Sequence, residues 1–279
     1  MLPEADFAFI AREVRMRSGL VLTADRAHIL ETKLAPLMRI GGFASLKELA
    51  ASARSRRDEA MLWAITDALT TCETLFFRDK ALFDLFRETV VPSLLRSRGP
   101  MAPVRILSAA CSSGQEPYSL AMLLDELAEQ ASPVNAEIIG VDISDRVLEK
   151  AKSGLYSQFE VQRGLPVRLL VKHFEKVNEM WRISDRIRSA VQFQRFNLLD
   201  DPHPLGRFDV VLCRNVLVSF DQPTRKSTLE RLAGSMPEDG FLLLGEGETA
   251  TGVTDAFESV ADQRGLYRRN AHWKASVAA

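Results

Sequence analysis

Val104-Arg105-Ile106-Leu107-Ser108-Ala109-Ala110-Cys111-Ser112-Ser113-Gly114-Gln115-Glu116-Pro117 decides the fold of this chain. Val104 to Ser108 is a short β-rich run. A turn of small residues follows, and then a helix predicted from about Glu116 to Glu129. An apolar strand that passes through a small-residue turn into a helix is the opening unit of a parallel, helix-covered sheet. In such open sheets ligands bind outside the carboxyl ends of the strands. Ala110, Ser112 and Gly114 are the small positions, a loose echo of G-x-G-x-G that lets backbone approach a ligand closely. Pro117 suits the first turn of the helix. With one true glycine, the turn by itself reads equally well as an ordinary strand-to-helix connection.

Downstream the alternation continues. Ala136 to Val141 reads as a second strand and Ser144 to Lys152 as a second helix. Phe208-Asp209-Val210-Val211-Leu212-Cys213 is a third strand. Gln222 to Met236 is a helix with Pro223 near its start, and Gly240 to Gly245 is a fourth strand. Apolar strands alternating with helices predict an α/β, doubly wound, mostly parallel sheet. The alternation breaks between about 155 and 196. A short helix over Pro166 to His173 precedes Met180-Trp181-Arg182-Ile183 and Val191-Gln192-Phe193, two runs expected to pair as a small antiparallel β insert.

Upstream, residues 1 to about 70 read as all helix. Phe7, Ile10 and Val14, then Ile29, Leu30, Leu34, Leu37 and Met38, then Leu62, Ile65 and Leu69 recur at helical spacing. Gly19 and Gly41-Gly42 act as stops. Residues 79–97 read as one connecting helix, ended by the loop Ser97 to Pro103. The domain expectation is an all-helical region over 1–75 and an α/β domain over 76–279, with the insert at about 157–195.

The chain has 279 residues, 46% of them hydrophobic and 26% charged, which is the composition of a folded globular protein. Lys plus Arg number 36 against 37 Asp plus Glu, so the net charge is −1 and no basic excess suits a dedicated nucleic-acid binder. Cys72, Cys111 and Cys213 form no C-x-x-C pair and point to a reducing compartment. The four histidines are scattered, so no metal site is expected. No apolar run is long enough to span a bilayer, and the acidic start Met1 to Asp6 has no signal-peptide character; the expected location is cytoplasmic.

Four further stretches could carry chemistry. Asp142 ends the second strand, where a carboxylate can accept both hydroxyls of a ribose or cap the next helix. Phe196-Asn197-Leu198-Leu199 could set an amide and an apolar side chain beside an adenine ring. Arg214-Asn215 directly follows the third strand. Thr70-Thr71-Cys72-Glu73-Thr74-Leu75-Phe76-Phe77-Arg78-Asp79 joins the helical and α/β regions and reads either as a lid over a cleft or as a hydrophobic hinge carrying a surface arginine.

In order, T-T-C-E-T-L-F-F-R-D, S-A-A-C-S-S-G-Q-E-P-Y-S, G-V-D-I-S, F-N-L-L, F-D-V-V-L-C-R-N-V-L-V-S-F and G-F-L-L-L-G-E-G-E-T cover nearly the whole chain. This set resembles the chemotaxis receptor methyltransferases, the CheR family. The resemblance implies a class I S-adenosylmethionine (SAM)-dependent methyltransferase fold and methyl-ester formation on glutamate side chains of chemoreceptors, with S-adenosylhomocysteine (SAH) as product and no metal. It implies cofactor contacts from Cys72, Thr74, Arg78, Glu116, Asp142, Asn197, Leu198, Arg214 and Asn215, with Arg78 nearest the reaction.

The family pattern has Asn at position 72, an acidic pair at 115–116 and Tyr at position 219; this chain has Cys72, Gln115-Glu116 and Ser219. An alternative is therefore a weak or inactive SAM- or SAH-binding signalling module. A methyltransferase for a small molecule or nucleic acid is a third reading, disfavoured by the neutral charge and the helical region. Arg12, Arg15, Arg17, Arg26, Lys33 and Arg39 against Glu13, Asp25 and Glu31 form a local basic excess. That face could steer the acidic helical region of a receptor, which would be the only link to a membrane; it reads equally as a solvated helix face.

Overall fold

The structure is a computed structural model that describes residues 3–23, 25, 27–56, 58–70, 73–99, 101–130 and 133–274. The chain divides into two compact units, Met1–Thr71 with Ser219–Thr224, and Cys72–Val218 with Arg225–Ala279.

The first unit holds α1 (Glu4–Ser18), α2 (Ala27–Gly41), α3 (Leu46–Arg56) and α4 (Glu59–Leu69). Each helix turns a stripe at 3- and 4-residue spacing inward: Ile10 and Val14, Leu30 and Leu34, Leu49 and Ala53, Leu62, Ile65 and Leu69. Gly19 ends α1 at φ 77°, and Asp58 caps α4 by accepting the Met61 N–H at 3.1 Å. In the same unit the Val21 N–H donates to the Ser219 carbonyl at 2.9 Å, and Arg15 pairs with Asp221.

The second unit begins, after the strap 73–79, with α5 (Lys80–Leu85), a π turn (Phe86–Val90) and α6 (Val91–Arg98). The single helix expected over 79–97 is thus interrupted. Pro92 is the cause: it has no N–H for the carbonyl one turn back, and its ring crowds that carbonyl, so the preceding turn widens. Then come β1 (Val104–Ala109), α7 (Gln115–Glu129), β2 (Ala136–Asp142), α8 (Asp145–Ser153), β3 (Leu155–Ser157), α9 (Gln158–Gln162), α10 (Val167–His173), β4 (Phe174–Val177), β5 (Met180–Ile183), α11 (Asp185–Ser189), β6 (Val191–Arg195), β7 (Val210–Cys213), α12 (Gln222–Gly234), β8 (Phe241–Leu244), β9 (Phe257–Ser259) and β10 (Leu266–Arg269).

Seven strands form the main sheet in the order β6-β2-β1-β7-β8-β10-β9, with every pair from β6 to β8 parallel and the last two strands antiparallel. With its flanking helices this is the doubly wound, mostly parallel α/β arrangement expected from the sequence. Strands β7 and β8 are buried at every residue, which is why they read as unbroken apolar runs.

The insert departs from expectation. Met180–Ile183 pairs antiparallel with Leu155–Ser157 and Phe174–Val177 in a three-stranded sheet, whereas Val191–Arg195 lies parallel to β2 in the main sheet. The correction follows from burial. Of the β6 residues only Val191 is buried, so as an edge strand it lacks the apolar run of its parallel neighbours. Among the described residues no helix is long and apolar enough to cross a membrane, and no group of three His, Cys, Asp or Glu could hold a metal ion.

Candidate active site

The chain crosses from β1 outward to β2 on one side and to β7 on the other, so the strand order reverses at β1. A crevice opens at such a switch point, outside the carboxyl ends of the strands. Six of the nine sequence-predicted residues lie at those strand ends. Asn197 and Leu198 follow β6, Asp142 ends β2, the Ala110–Glu116 turn follows β1, and Arg214-Asn215 follows β7.

The β1–α7 turn is tightly coiled. Ala110, Ser112 and Gly114 have φ of 55°, 52° and 90°, so the three small positions of the sequence motif are the three left-handed ones. At Gly114 a Cβ would also lie 2.9 Å from the Ala151 Cβ. Beside the turn, the two oxygens of Asp142 accept the Ser112 N–H at 2.9 Å and the Ser144 N–H at 3.0 Å. The carboxylate is buried. Cys111, in the same turn, is a packing group: burial, then the Asp142 and Glu116 carboxylates, push its thiol well above the usual range.

Glu116, in the first turn of α7, is 9% exposed. Its Oε1 accepts the Ser108 hydroxyl at 2.7 Å and its Oε2 accepts Arg214 Nη1 at 2.8 Å. Arg214 is buried, and its Nη2 also donates to Asp79 Oδ2 at 2.8 Å and to the Arg78 carbonyl. One guanidinium thus ties β7, α7 and the strap together. The strap is anchored from below as well. Phe76 is fully buried and meets Tyr156 and Phe174 edge-on, with ring centroids 5.0 and 5.6 Å away. The Phe77 N–H donates to Ser119 Oγ at 2.9 Å. Phe76 is thus spent in the core, while Phe77 stays half-buried beside Phe83, with ring centroids 5.2 Å apart. The Arg78 side chain is half-buried and its Nη1 donates to the Glu73 carbonyl at 3.1 Å. Thr74 is half-buried in the same segment. Cys72 lies outside the described residues.

On the other flank the Phe196 N–H donates to the Asp142 carbonyl at 2.9 Å, so the loop after β6 starts against β2. Asn197 Oδ1 accepts the Leu199 N–H at 3.1 Å, Leu198 is buried, and the Leu198 carbonyl accepts Arg231 Nη2 at 3.0 Å. Asn215, next to Arg214, has φ 59° and its side-chain amide against Gly245.

The family described as CheR methyltransferase, SAM binding domain, matches residues 72–266. The chain belongs to the CheR family. Chemotaxis protein methyltransferase 1 of Pseudomonas aeruginosa is 35% identical over 269 residues, covering 95% of this chain and 97% of that protein. Chemotaxis protein methyltransferase Cher2 of Pseudomonas putida is 35% identical over 252 residues, 89% of this chain and 91% of the relative. A chemotaxis protein methyltransferase of Vibrio parahaemolyticus is 32% identical over 268 residues, 95% of this chain and 96% of the relative.

The residues fit the cofactor that the family domain binds. A buried carboxylate at the tip of β2 suits a ribose diol. A second buried carboxylate, in the first turn of α7, suits an amino group. Sequence reasoning missed the groups that hold these CheR residues in place: Ser108, Asp79, Ser119 and Arg231. Ser108 was the readable one, because a hydroxyl inside an otherwise apolar buried strand needs a partner. Asp79 and Arg231 gave no such signal, since their partners are 135 and 33 residues away.

Proposed function

We propose that this CheR-family methyltransferase forms methyl esters on glutamate side chains in the cytoplasmic helical region of chemoreceptors, using S-adenosylmethionine. The observation that carries the reading is the pair of buried carboxylates, Asp142 and Glu116, at the carboxyl edge of adjacent strands β2 and β1, in a chain matched along its length by chemotaxis protein methyltransferases. Asp142 would hold the ribose, Glu116 the amino group, and Asn197 and Leu198 the adenine side; Thr74, Arg214 and Asn215 would border the amino-acid end. No metal has a part in this reading.

When bound, the cofactor supplies an electrophilic methyl group on a sulfonium. The acceptor glutamate has an ordinary pKa near 4.3 and is ionised at pH 7, so no residue of the chain needs to act as a base. The work left to the protein is orientation and exclusion of water. Arg78 is the group assigned to the acceptor: a guanidinium can hold one carboxylate oxygen and leave the other free. Too tight a pair would stabilise the ground state and slow transfer, which suits a half-buried arginine better than a buried one. Ser219 in place of the family's tyrosine then costs rate rather than the reaction.

Among the described basic residues of the 12–39 stretch, Arg17 is drawn to Glu13 and Glu59, and Lys33 to the Leu69 carbonyl. Arg12 and Arg15 keep 65% and 58% of their side chains exposed in ion pairs that water weakens, and Arg39 is exposed. These three are the cations assigned to an acidic receptor helix; Arg26 lies outside the described residues. The assay mixes the protein with methyl-labelled S-adenosylmethionine and a cytoplasmic receptor fragment and measures base-released methanol. Label that disappears when receptor glutamates are changed to alanine supports the reading. Absence of transfer to a panel of receptors, with calorimetry still showing cofactor binding, would overturn it for those substrates.

A further inference from the structure

The G-E-G-E-T motif after β8 has no part in the reading above, yet it holds a polar knot. Glu248 accepts three backbone N–H groups. Its Oε2 takes those of Asn215 at 2.7 Å and Gly245 at 2.9 Å, and its Oε1 takes that of Val218 at 3.2 Å. The Glu248 N–H closes the turn by donating to the Gly245 carbonyl at 3.1 Å. One carboxylate therefore gathers the chain just past β8 and the loop just past β7.

An acceptor-only group is required here. A carboxylate offers about four lone-pair directions on two oxygens, whereas an amide at the same place has one oxygen and turns an N–H₂ toward at least one of the donors. The knot is also tight. A Cβ at Gly245 would lie 2.8 Å from Asn215 Nδ2, 2.9 Å from Glu248 Oε2 and 3.0 Å from the Asn215 nitrogen. Asn215 itself sits at φ 59°, a left-handed conformation that something must hold.

We infer that Glu248 is a positioning residue: it fixes the Asn215–Val218 backbone and thereby holds the Asn215 side-chain amide in its place beside Gly245. The inference rests on the proposed reading that Asn215 borders the cofactor. It predicts that Glu248→Gln weakens SAH binding about tenfold or more, equivalent to about 1.4 kcal/mol per tenfold. It also predicts faster hydrogen exchange at the Asn215, Val218 and Gly245 amides with no cofactor present.

The test is a double-mutant cycle read by calorimetry with SAH, beside amide exchange and thermal unfolding of each protein. Asn215→Gly removes the side chain while keeping the left-handed backbone accessible. If Glu248 acts through Asn215, adding Glu248→Gln to Asn215→Gly weakens binding no further. Should Glu248→Gln prove too unstable to purify, Gly245→Ala takes its place; its Cβ crowds Glu248 Oε2 and Asn215 Nδ2 together, and its loss of affinity should likewise vanish in the Asn215→Gly background. Wild-type affinity in Glu248→Gln, or losses that multiply in the double variant, would overturn the inference while leaving the proposed function standing. Failure of the wild-type protein to bind SAH overturns that function, and the inference with it.

Discussion

Arg214 and Glu116, 98 positions apart, meet as a buried ion pair in which Nη1 donates to Oε2 at 2.8 Å. The same guanidinium takes Asp79 and lies over the Phe83 ring, 5.5 Å from its centroid. Two carboxylates share one cation, so the cluster keeps a net negative charge beside the crevice. That surplus matches the amino group assigned to Glu116. It also makes Arg214 a strut among three segments of the unit.

Removing the cation leaves Glu116 buried without its partner. Arg214→Met is expected to destabilise the folded chain by about 3–5 kcal/mol, the usual cost of breaking one side of a buried pair. Glu116→Gln in the same background should recover much of that loss, because a neutral amide needs no counter-charge. Urea midpoints of the two variants and the wild type check both statements; an unchanged midpoint for Arg214→Met would show that the pair carries no stability.

Gly114→Ala combines two costs, a left-handed backbone at φ 90° and a Cβ 2.9 Å from that of Ala151. The expected loss is about 1–3 kcal/mol for the backbone alone, with the clash added. Ala151→Gly shortens the facing residue on α8 and by itself costs up to about 1 kcal/mol. Together the two should cost less than their sum, since the second removes the clash made by the first. Thermal or urea unfolding of the four-member set measures this; strict additivity would mean that only the backbone matters.

Much of this was readable in the sequence where one residue type answers one local need. Ala110, Ser112 and Gly114 stood out as small residues, and all three adopt positive φ. The apolar runs of β1, β7 and β8 announced a parallel sheet because both of their faces are covered. Other features depend on partners far along the chain. Val191–Arg195 looked like insert material because an edge strand of a parallel sheet carries little apolar signal; its place beside β2 shows only in three dimensions. The strap read either as a lid or as a hydrophobic hinge, because two aromatics and an arginine suit a cleft as well as a core. The burial of Phe76 against Tyr156 and Phe174 is set by the insert, about 80 to 100 residues downstream.

His173 gives a pH dependence with a definite sign. It is 3% exposed and ends α10, with Nε2 3.9 Å from Asp125 Oδ2 and with Lys172 and Arg186 on the same carboxylate. Burial first, and Lys172 next, lower its pKa below the usual 6.5. The unfolded chain therefore takes up this proton before the folded one. Stability from this residue is complete above about pH 6.5 and is lost as pH falls below it, by at most about 1.4 kcal/mol per pH unit. Urea midpoints at pH 7.5 and pH 5.5 should fall for the wild type, and His173→Gln should remove part of that fall. An equal fall in both proteins would assign the effect elsewhere.

Asp142 separates a binding role from a structural one. Its two oxygens already serve the Ser112 and Ser144 N–H groups, so Asp142→Asn costs one of those bonds, about 0.5–1.5 kcal/mol of stability. If the carboxylate also accepts the ribose hydroxyls, the same change should weaken SAH binding by about tenfold or more, since hydrogen bonds to a charged acceptor are worth about 1.5–3 kcal/mol. Stability and affinity can be tied to the same atoms with an analogue of SAH that lacks the 2′ and 3′ hydroxyls. The wild type should bind it more weakly than SAH, and Asp142→Asn should hold the two ligands with nearly equal affinity, because the partner of the missing hydroxyls is already gone. Calorimetry supplies all four affinities. Equal discrimination by both proteins would confine Asp142 to the turn and move the ribose contact to another residue of the crevice.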